Sequence, residues 1–131
     1  MAKILLDFPQ QIKLFFMNID LNNKLLLLKK SLKNLSKPYQ EQVKEFPYYV
    51  DVFDEVVSDF DNAFRLLPIL MEENLVPYNA VNEILKCNNL IELNLSMDEE
   101  LTDESFEKDE KWNLVRQYAV NALRLMGNVS D

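Results

Sequence analysis

The sequence predicts an all-α protein, a compact bundle of five or six helices that forms one domain over residues 1–131. The chain contains a single glycine and no Asn-Gly or Asp-Gly pair, so it lacks the turns that a many-stranded sheet needs. Apolar residues recur at spacings of three and four along most of its length. A chain of this size buries roughly two thirds of its unfolded surface, so one core without disulfides is expected.

Two helices are predicted in the first third of the chain. The first apolar segment covers about residues 3–19, and its helix can begin near Phe8, with Asp7 as its cap and Pro9 in its first turn. Asp20 is predicted to cap the second helix, over residues 21–35. Its leucines form one stripe, at positions 21, 25, 28, 32 and 35.

Prolines divide the middle of the chain. Ser36 and Pro38 open a short helix that ends before Pro47. An amphipathic helix is predicted from Tyr48 onwards, and Pro68 should kink or break it. Phe46 and Tyr49 are expected to enter the core.

The last third contains two longer helices around a polar stretch. One opens at Pro77 or Tyr78, with an irregular turn expected at the Asn88-Asn89 pair. Residues 98–110 are predicted to be an acidic loop, and a final helix spans about residues 108–126. Its predicted buried face comprises Trp112, Val115, Ala119, Ala122, Leu123 and Met126, and Gly127 follows as the terminating residue.

The composition argues against an enzyme. Histidine is absent and Cys87 is the only cysteine, which excludes a histidine general base and most common zinc sites. Carboxylate pairs such as Glu72-Glu73 fit solvated helix faces. We therefore expect no catalytic residues, no cofactor and no metal. The longest apolar runs are four residues, too short for a signal peptide or a membrane span, so a cytoplasmic protein is predicted.

The net charge of −8 is unevenly distributed. Residues 1–46 carry eight lysines against four acids, whereas residues 47–131 carry eighteen acids against six basic residues. Such a chain repels a polyanion at long range, so no direct nucleic-acid binding is expected. A basic protein is the partner that this charge favours.

Two segments concentrate the negative charge. Residues 47–62 contain five acids and no basic residue, and residues 98–110 have a net charge of −7. Either segment could simply keep the protein in solution, but two dense patches in one small domain also suit the recognition of a basic partner. The predicted partner-binding residues are Tyr48, Asp51, Asp54, Glu55, Asp59, Asp98, Glu99, Glu100, Asp103 and Glu104.

The second half of the chain resembles a known group of proteins. The run from Trp112 to Gly127, with a Val-Arg pair, a small residue and an Ala-Leu pair, looks like the closing helix of small helical immunity proteins. These belong to bacterial contact-dependent growth inhibition and related polymorphic toxin systems. Residues 60–77 are similar to the preceding part of such proteins.

The resemblance implies an immunity protein that binds the C-terminal domain of a cognate toxin, often a nuclease, and neutralises it in the cytoplasm. Two other hypotheses stay open. The chain could be an acidic phage-type inhibitor of a host nuclease, which would use the same surface. It could also be a helical regulatory adaptor with no toxin partner, whose lysine-rich first third touches nucleic acid in a salt-dependent way.

Overall fold

A computed structural model describes residues 7–97 and 101–127, and confirms the all-α class. The described residues contain no strand and form seven helices rather than the predicted five or six. The helices are α1 (Phe8–Ser36), α2 (Tyr39–Glu45), α3 (Val52–Phe64), α4 (Leu67–Glu72), α5 (Tyr78–Met97), α6 (Asp103–Lys108) and α7 (Glu110–Leu125).

Helix α1 is continuous where two helices were predicted. Asp7 caps it as expected, because its carboxylate accepts a hydrogen bond from the Gln10 backbone N–H at 2.9 Å. Asp20 begins no new helix. Its carboxylate instead pairs with Lys24 one turn later, at 2.6 Å, and no glycine or proline interrupts the helix there.

The core lies between the C-terminal half of α1 and helices α3, α5 and α7. Leu28, Leu32 and Leu35 are fully buried, which confirms that end of the predicted leucine stripe. Helices α5 and α7 pack closely against each other along the middle of the bundle. All but one of the predicted buried residues of α7 are buried, and Met126 is half-buried.

Proline marks the predicted break, whereas the asparagine pair does not. Helix α3 ends at Phe64, and α4 begins at Leu67 with Pro68 in its first turn. Helix α5 runs unbroken through Asn88-Asn89, because Cys87 and Ile91 on either side are buried in the core. Tertiary packing of an apolar face outweighs the weak helix propensity of asparagine.

The predicted acidic loop contains helix α6. Thr102 caps it by accepting a hydrogen bond from the Ser105 backbone N–H at 3.0 Å, and the Ser105 hydroxyl accepts one from the Thr102 N–H at 3.2 Å. Phe106 is buried and fixes the helix to the bundle. Reciprocal capping and one apolar anchor are enough to order a six-residue helix despite its charge.

The Cys87 thiol is buried, as expected. Its Sγ lies 3.6 Å from the Val115 carbonyl oxygen across the α5–α7 contact. Burial raises the pKa of the thiol, and the nearby Glu83 carboxylate raises it further. Since the thiolate is the reactive form, this cysteine is a packing residue.

No helix in the described part of the chain is both long and apolar enough to cross a membrane.

Candidate functional site

The first turns of α3 and α6 carry acids from both predicted acidic segments. Asp51 caps α3, accepting a hydrogen bond from the Asp54 backbone N–H at 3.1 Å, and Glu55 follows in the first turn. Asp103 and Glu104 occupy the first turn of α6. Carboxylates at helix N-termini are stabilised by the helix dipole, so this part of the charge also has a local structural reason.

An aromatic cluster holds these two helix starts against the same part of the core. The Phe106 ring of α6 lies 4.7 Å from that of Phe53 in α3 and 5.4 Å from that of Trp112 in α7. Tyr39 of α2 contacts Phe106 edge-on at 5.9 Å. Segments about fifty residues apart in sequence therefore meet at one corner of the molecule. We call the five acids of these two helix starts, Asp51, Asp54, Glu55, Asp103 and Glu104, the acidic corner. Asp51 and Asp103 both act on Tyr39, and Asp54 also lines a cleft between α3 and α5.

Tyr39 lies where the charges of the two segments meet. Burial raises the pKa of its phenol, and a hydrogen bond to the Asp103 carboxylate raises it further, as do the negative charges of Asp103, Glu107 and Asp51. Each carboxylate disfavours a phenolate close by. The shift shows that acids from α6 and from the start of α3 act on one side chain.

Replacing Asp103 with asparagine is expected to lower the pKa of Tyr39 towards the usual 10.0, because one of the charges opposing the phenolate is removed. Burial still holds the pKa above that value. The measurement is an absorbance titration of phenol ionisation, with the curve of Tyr39→Phe subtracted to isolate this ring. Glu72→Gln, on α4, is the matched control and should leave the titration of Tyr39 unchanged. An unchanged titration in Asp103→Asn would contradict the proximity of α6.

The Arg116 side chain of α7 contacts α6. Its guanidinium is buried, donates one hydrogen bond to the Phe106 carbonyl oxygen and another to Asn113 Oδ1 at 2.8 Å, and lies 4.8 Å from the Phe106 ring centre. Burial lowers its pKa, and the Glu107 carboxylate opposes that shift. Arg116 therefore lies inside the bundle and links α6 to α7.

Most acids of the corner are available to a partner. Among the residues described, no lysine or arginine forms an ion pair with Asp51, Asp54, Glu55 or Asp103. Glu104 faces Lys108 at 3.5 Å, and both side chains are exposed. Exposed pairs at this spacing contribute only about 0.3–0.5 kcal/mol, so a partner can displace Lys108 easily.

Two exposed aromatic rings precede α3. Tyr48 is 99% exposed and Tyr49 is 76% exposed, and they contact each other edge-on at 5.6 Å. The expected entry of Tyr49 into the core is wrong, because Asp51 starts α3 at Val52 and leaves the preceding turn outside. Phe46 is half-buried against the core, as expected.

Asp59 does not belong to the acidic corner. It is half-buried and lines a cleft of about 450 Å³ on the side of α3 that faces α1, together with Lys30, Ser31 and Leu27. Asp59 lies about two helical turns after Asp51, and the start of α6 lies near Asp51. Asp98, Glu99 and Glu100 lie outside the described residues.

Three residues that connect the site were not predicted from the sequence, namely Phe53, Tyr39 and Glu107. Glu107 also accepts a hydrogen bond from Gln40 Nε2 of α2 at 2.9 Å. The Thr102–Ser105 capping pattern before Phe106 was the available signal for α6. Within residues 7–97 and 101–127, no three acids or cysteines converge as a metal site would require.

No family model, curated protein or solved structure matches this chain. The resemblance of residues 60–77 and 112–127 to immunity proteins therefore stays a prediction from the sequence. Surface geometry and charge are the remaining guides to function.

Proposed function

We propose that this chain is an immunity protein that binds a cognate toxin domain, a basic nuclease, and neutralises it by stoichiometric, non-covalent inhibition. The observation that carries the proposal is the acidic corner. Two helix starts from separate acidic segments are held together by the cluster of Tyr39, Phe53, Phe106 and Trp112. Most of their carboxylates form no ion pair with a lysine or arginine in the described part of the chain.

The charge of the corner would act mainly on association. Clustered carboxylates steer a cationic partner and raise its association rate by roughly 10–1000-fold at low salt. Because these carboxylates are fixed on helix ends packed on a rigid core, little ordering is needed when the partner arrives. A nuclease needs a basic face to bind nucleic acid, so the corner would compete for that face.

The exposed tyrosines would supply the apolar contact area that the carboxylates lack. Stable complexes depend on a few desolvated anchors near the centre of an interface, and tyrosine is enriched among them. Tyr48 and Tyr49 stand immediately before Asp51, with most of their surface accessible. In this proposal they pack against the toxin while the carboxylates of the first turns of α3 and α6 pair with its cations.

Co-expression with the product of the adjacent gene tests the proposal. We expect a toxic domain whose toxicity is suppressed by this chain, and a purified complex of equal stoichiometry. The isolated toxin should cleave nucleic acid, and one molar equivalent of this chain should abolish that activity. A neighbouring product that is neither toxic nor bound, with no partner that copurifies, would contradict the proposal.

A further inference from the structure

The N-terminal half of α1 extends beyond the bundle as an apolar arm. Every side chain from Phe8 to Asp20 is exposed, and the first buried residue of α1 is Leu28. The arm is defined as residues 8–27 and is roughly 30 Å long at the helical rise per residue. Its last turns contact the bundle, where Leu25 packs against the core and Leu27 lines the cleft beside Asp59. Phe8, Phe15 and Phe16 are 72%, 61% and 62% exposed. These rings lie outside the core because this part of α1 passes the end of the bundle.

Six residues of the arm fall on one continuous seam. They follow each other at alternating spacings of four and three, which is the a/d pattern of a coiled coil. The seam comprises Phe8, Ile12, Phe15, Ile19, Asn22 and Leu26. A helix turns about 100° per residue, so Leu26 points roughly 160° away from Leu28, which faces the core. The seam is therefore free to contact another helix while α1 stays packed on its bundle.

We propose that this seam binds a second copy of the same chain, forming a dimer through two antiparallel α1 arms. In the antiparallel arrangement each seam residue of one copy lies opposite a seam residue of the other, and each such pair forms one layer of the interface. The two residue numbers of a layer add to 34, so Phe8 meets Leu26 of the second copy, Ile12 meets Asn22, and Phe15 meets Ile19. Antiparallel pairing thus fills all six layers with a and d positions opposite one another.

The distribution of charge on the arm is compatible with binding of a second copy of the chain. The residues that flank the seam carry no charge, namely Pro9, Gln11, Phe16, Asn18, Asn23 and Leu25. Two copies can therefore approach without repulsion along the seam. Antiparallel pairing places the two acidic bundles at opposite ends of the arms, separated by several times the Debye length of about 8 Å.

The exposed area is sufficient for a specific dimer. Taking roughly 150–250 Å² for a whole aromatic side chain, the apolar residues of the seam together with Phe16 expose on the order of 600 Å² per copy. The pair would bury about 1,200 Å² in total, the lower bound for a stable interface. An uncharged seam offers nothing specific to a basic toxin. A lipid surface is also a poor fit, because an interfacial helix needs one strongly cationic face and Leu14 and Met17 interrupt the other side of this arm.

Sedimentation equilibrium of the full chain tests the dimer. At tens of micromolar we expect twice the chain mass of 15.5 kDa. Phe15→Glu with Ile19→Glu should weaken self-association at least about 100-fold, because four carboxylates would meet in the two central layers. Leu14→Glu with Met17→Glu is the matched control. These residues are exposed on the same turns but off the seam, so this variant should stay dimeric.

Folding of both variants is checked by circular dichroism and thermal unfolding. The substituted side chains are exposed and precede Leu28, so the bundle should be unaffected. A wild type that is monomeric at every concentration overturns the proposal, and so does a control variant as monomeric as the seam variant. Binding to vesicles of phosphatidylcholine and phosphatidylserine without self-association also overturns it.

Disulfide trapping tests the antiparallel direction. The double variant Phe8→Cys with Leu26→Cys should form a covalent dimer on oxidation, whereas Phe8→Cys alone should not. Buried Cys87 contributes no crosslink in the folded protein. In a parallel pair Phe8 would face the same residue of the other copy, so Phe8→Cys alone would also form a covalent dimer. That result would contradict the antiparallel arrangement. The dimer does not depend on the proposed toxin, because neither experiment uses one.

Discussion

Replacing Phe106 with alanine is expected to lower the free energy of unfolding by about 3–5 kcal/mol, the usual cost of removing a buried aromatic side chain. Phe106 is 1% exposed and contacts the rings of Tyr39, Phe53 and Trp112. It also lies under the guanidinium of Arg116. One truncation therefore opens a cavity and removes several ring contacts together, each worth about 0.5–1.5 kcal/mol beyond the buried area. Chemical denaturation followed by circular dichroism measures the loss.

The loss of the Phe106 ring should destabilise α6 first, before the whole bundle unfolds. Helix α6 is only six residues long, so without its anchor it should detach and raise amide hydrogen exchange in residues 101–109. Tyr49→Ala is the control, because an exposed ring removed from the surface should change stability by no more than about 0.5 kcal/mol. A Phe106→Ala protein as stable as the Tyr49→Ala protein would show that the aromatic cluster does not hold the acidic corner together.

Reversing two charges of the acidic corner, Glu55→Lys with Glu104→Lys, is expected to weaken binding of the proposed toxin at least about 100-fold. Each reversal replaces an attraction to a basic partner with a repulsion, and like charges opposed across an interface cost several kcal/mol. Neither side chain caps its helix, and both are exposed, so the fold should be retained. Surface plasmon resonance at two salt concentrations separates the rates, and the loss should lie largely in association.

The matched control is Glu72→Lys with Glu73→Lys. It makes the same change in net charge on exposed residues after α3, and the 13 residues of α3 place the two ends of that helix roughly 20 Å apart. Binding should fall only slightly, through the change in overall charge. If the two double variants lose affinity equally, net charge and not the acidic corner governs the association, and the site assignment fails.

Parts of the candidate site were predictable because their signals are local. Acid clustering marked Asp51, Asp54 and Glu55, and the same rule marked Asp103 and Glu104. The rule also included Asp59, which lies about two turns beyond the start of α3 and lines a cleft with Lys30. Charge counts along a segment contain no information on which neighbouring helix each residue faces, so they cannot separate Asp59 from the acids of the first turn.

The connecting residues of the site could not be predicted. Tyr39 and Phe106 are 67 positions apart, and their contact depends on how α2 and α6 pack on α7. Arg116 is buried because its guanidinium donates a hydrogen bond to the Phe106 carbonyl oxygen, ten residues earlier in the chain. Such pairs form through long-range packing, for which one sequence contains no local signal.

The sequence by itself determined the all-α class, the break at Pro68, the C-terminal stop at Gly127 and the buried leucines of α1. These follow from helix periodicity and from backbone restrictions that act within a few residues. Only the tertiary structure decided that the two acidic segments meet and that the first turns of α1 extend past the bundle. A helical pattern shows which residues are apolar, but the length and position of the neighbouring helices decide which of them are covered.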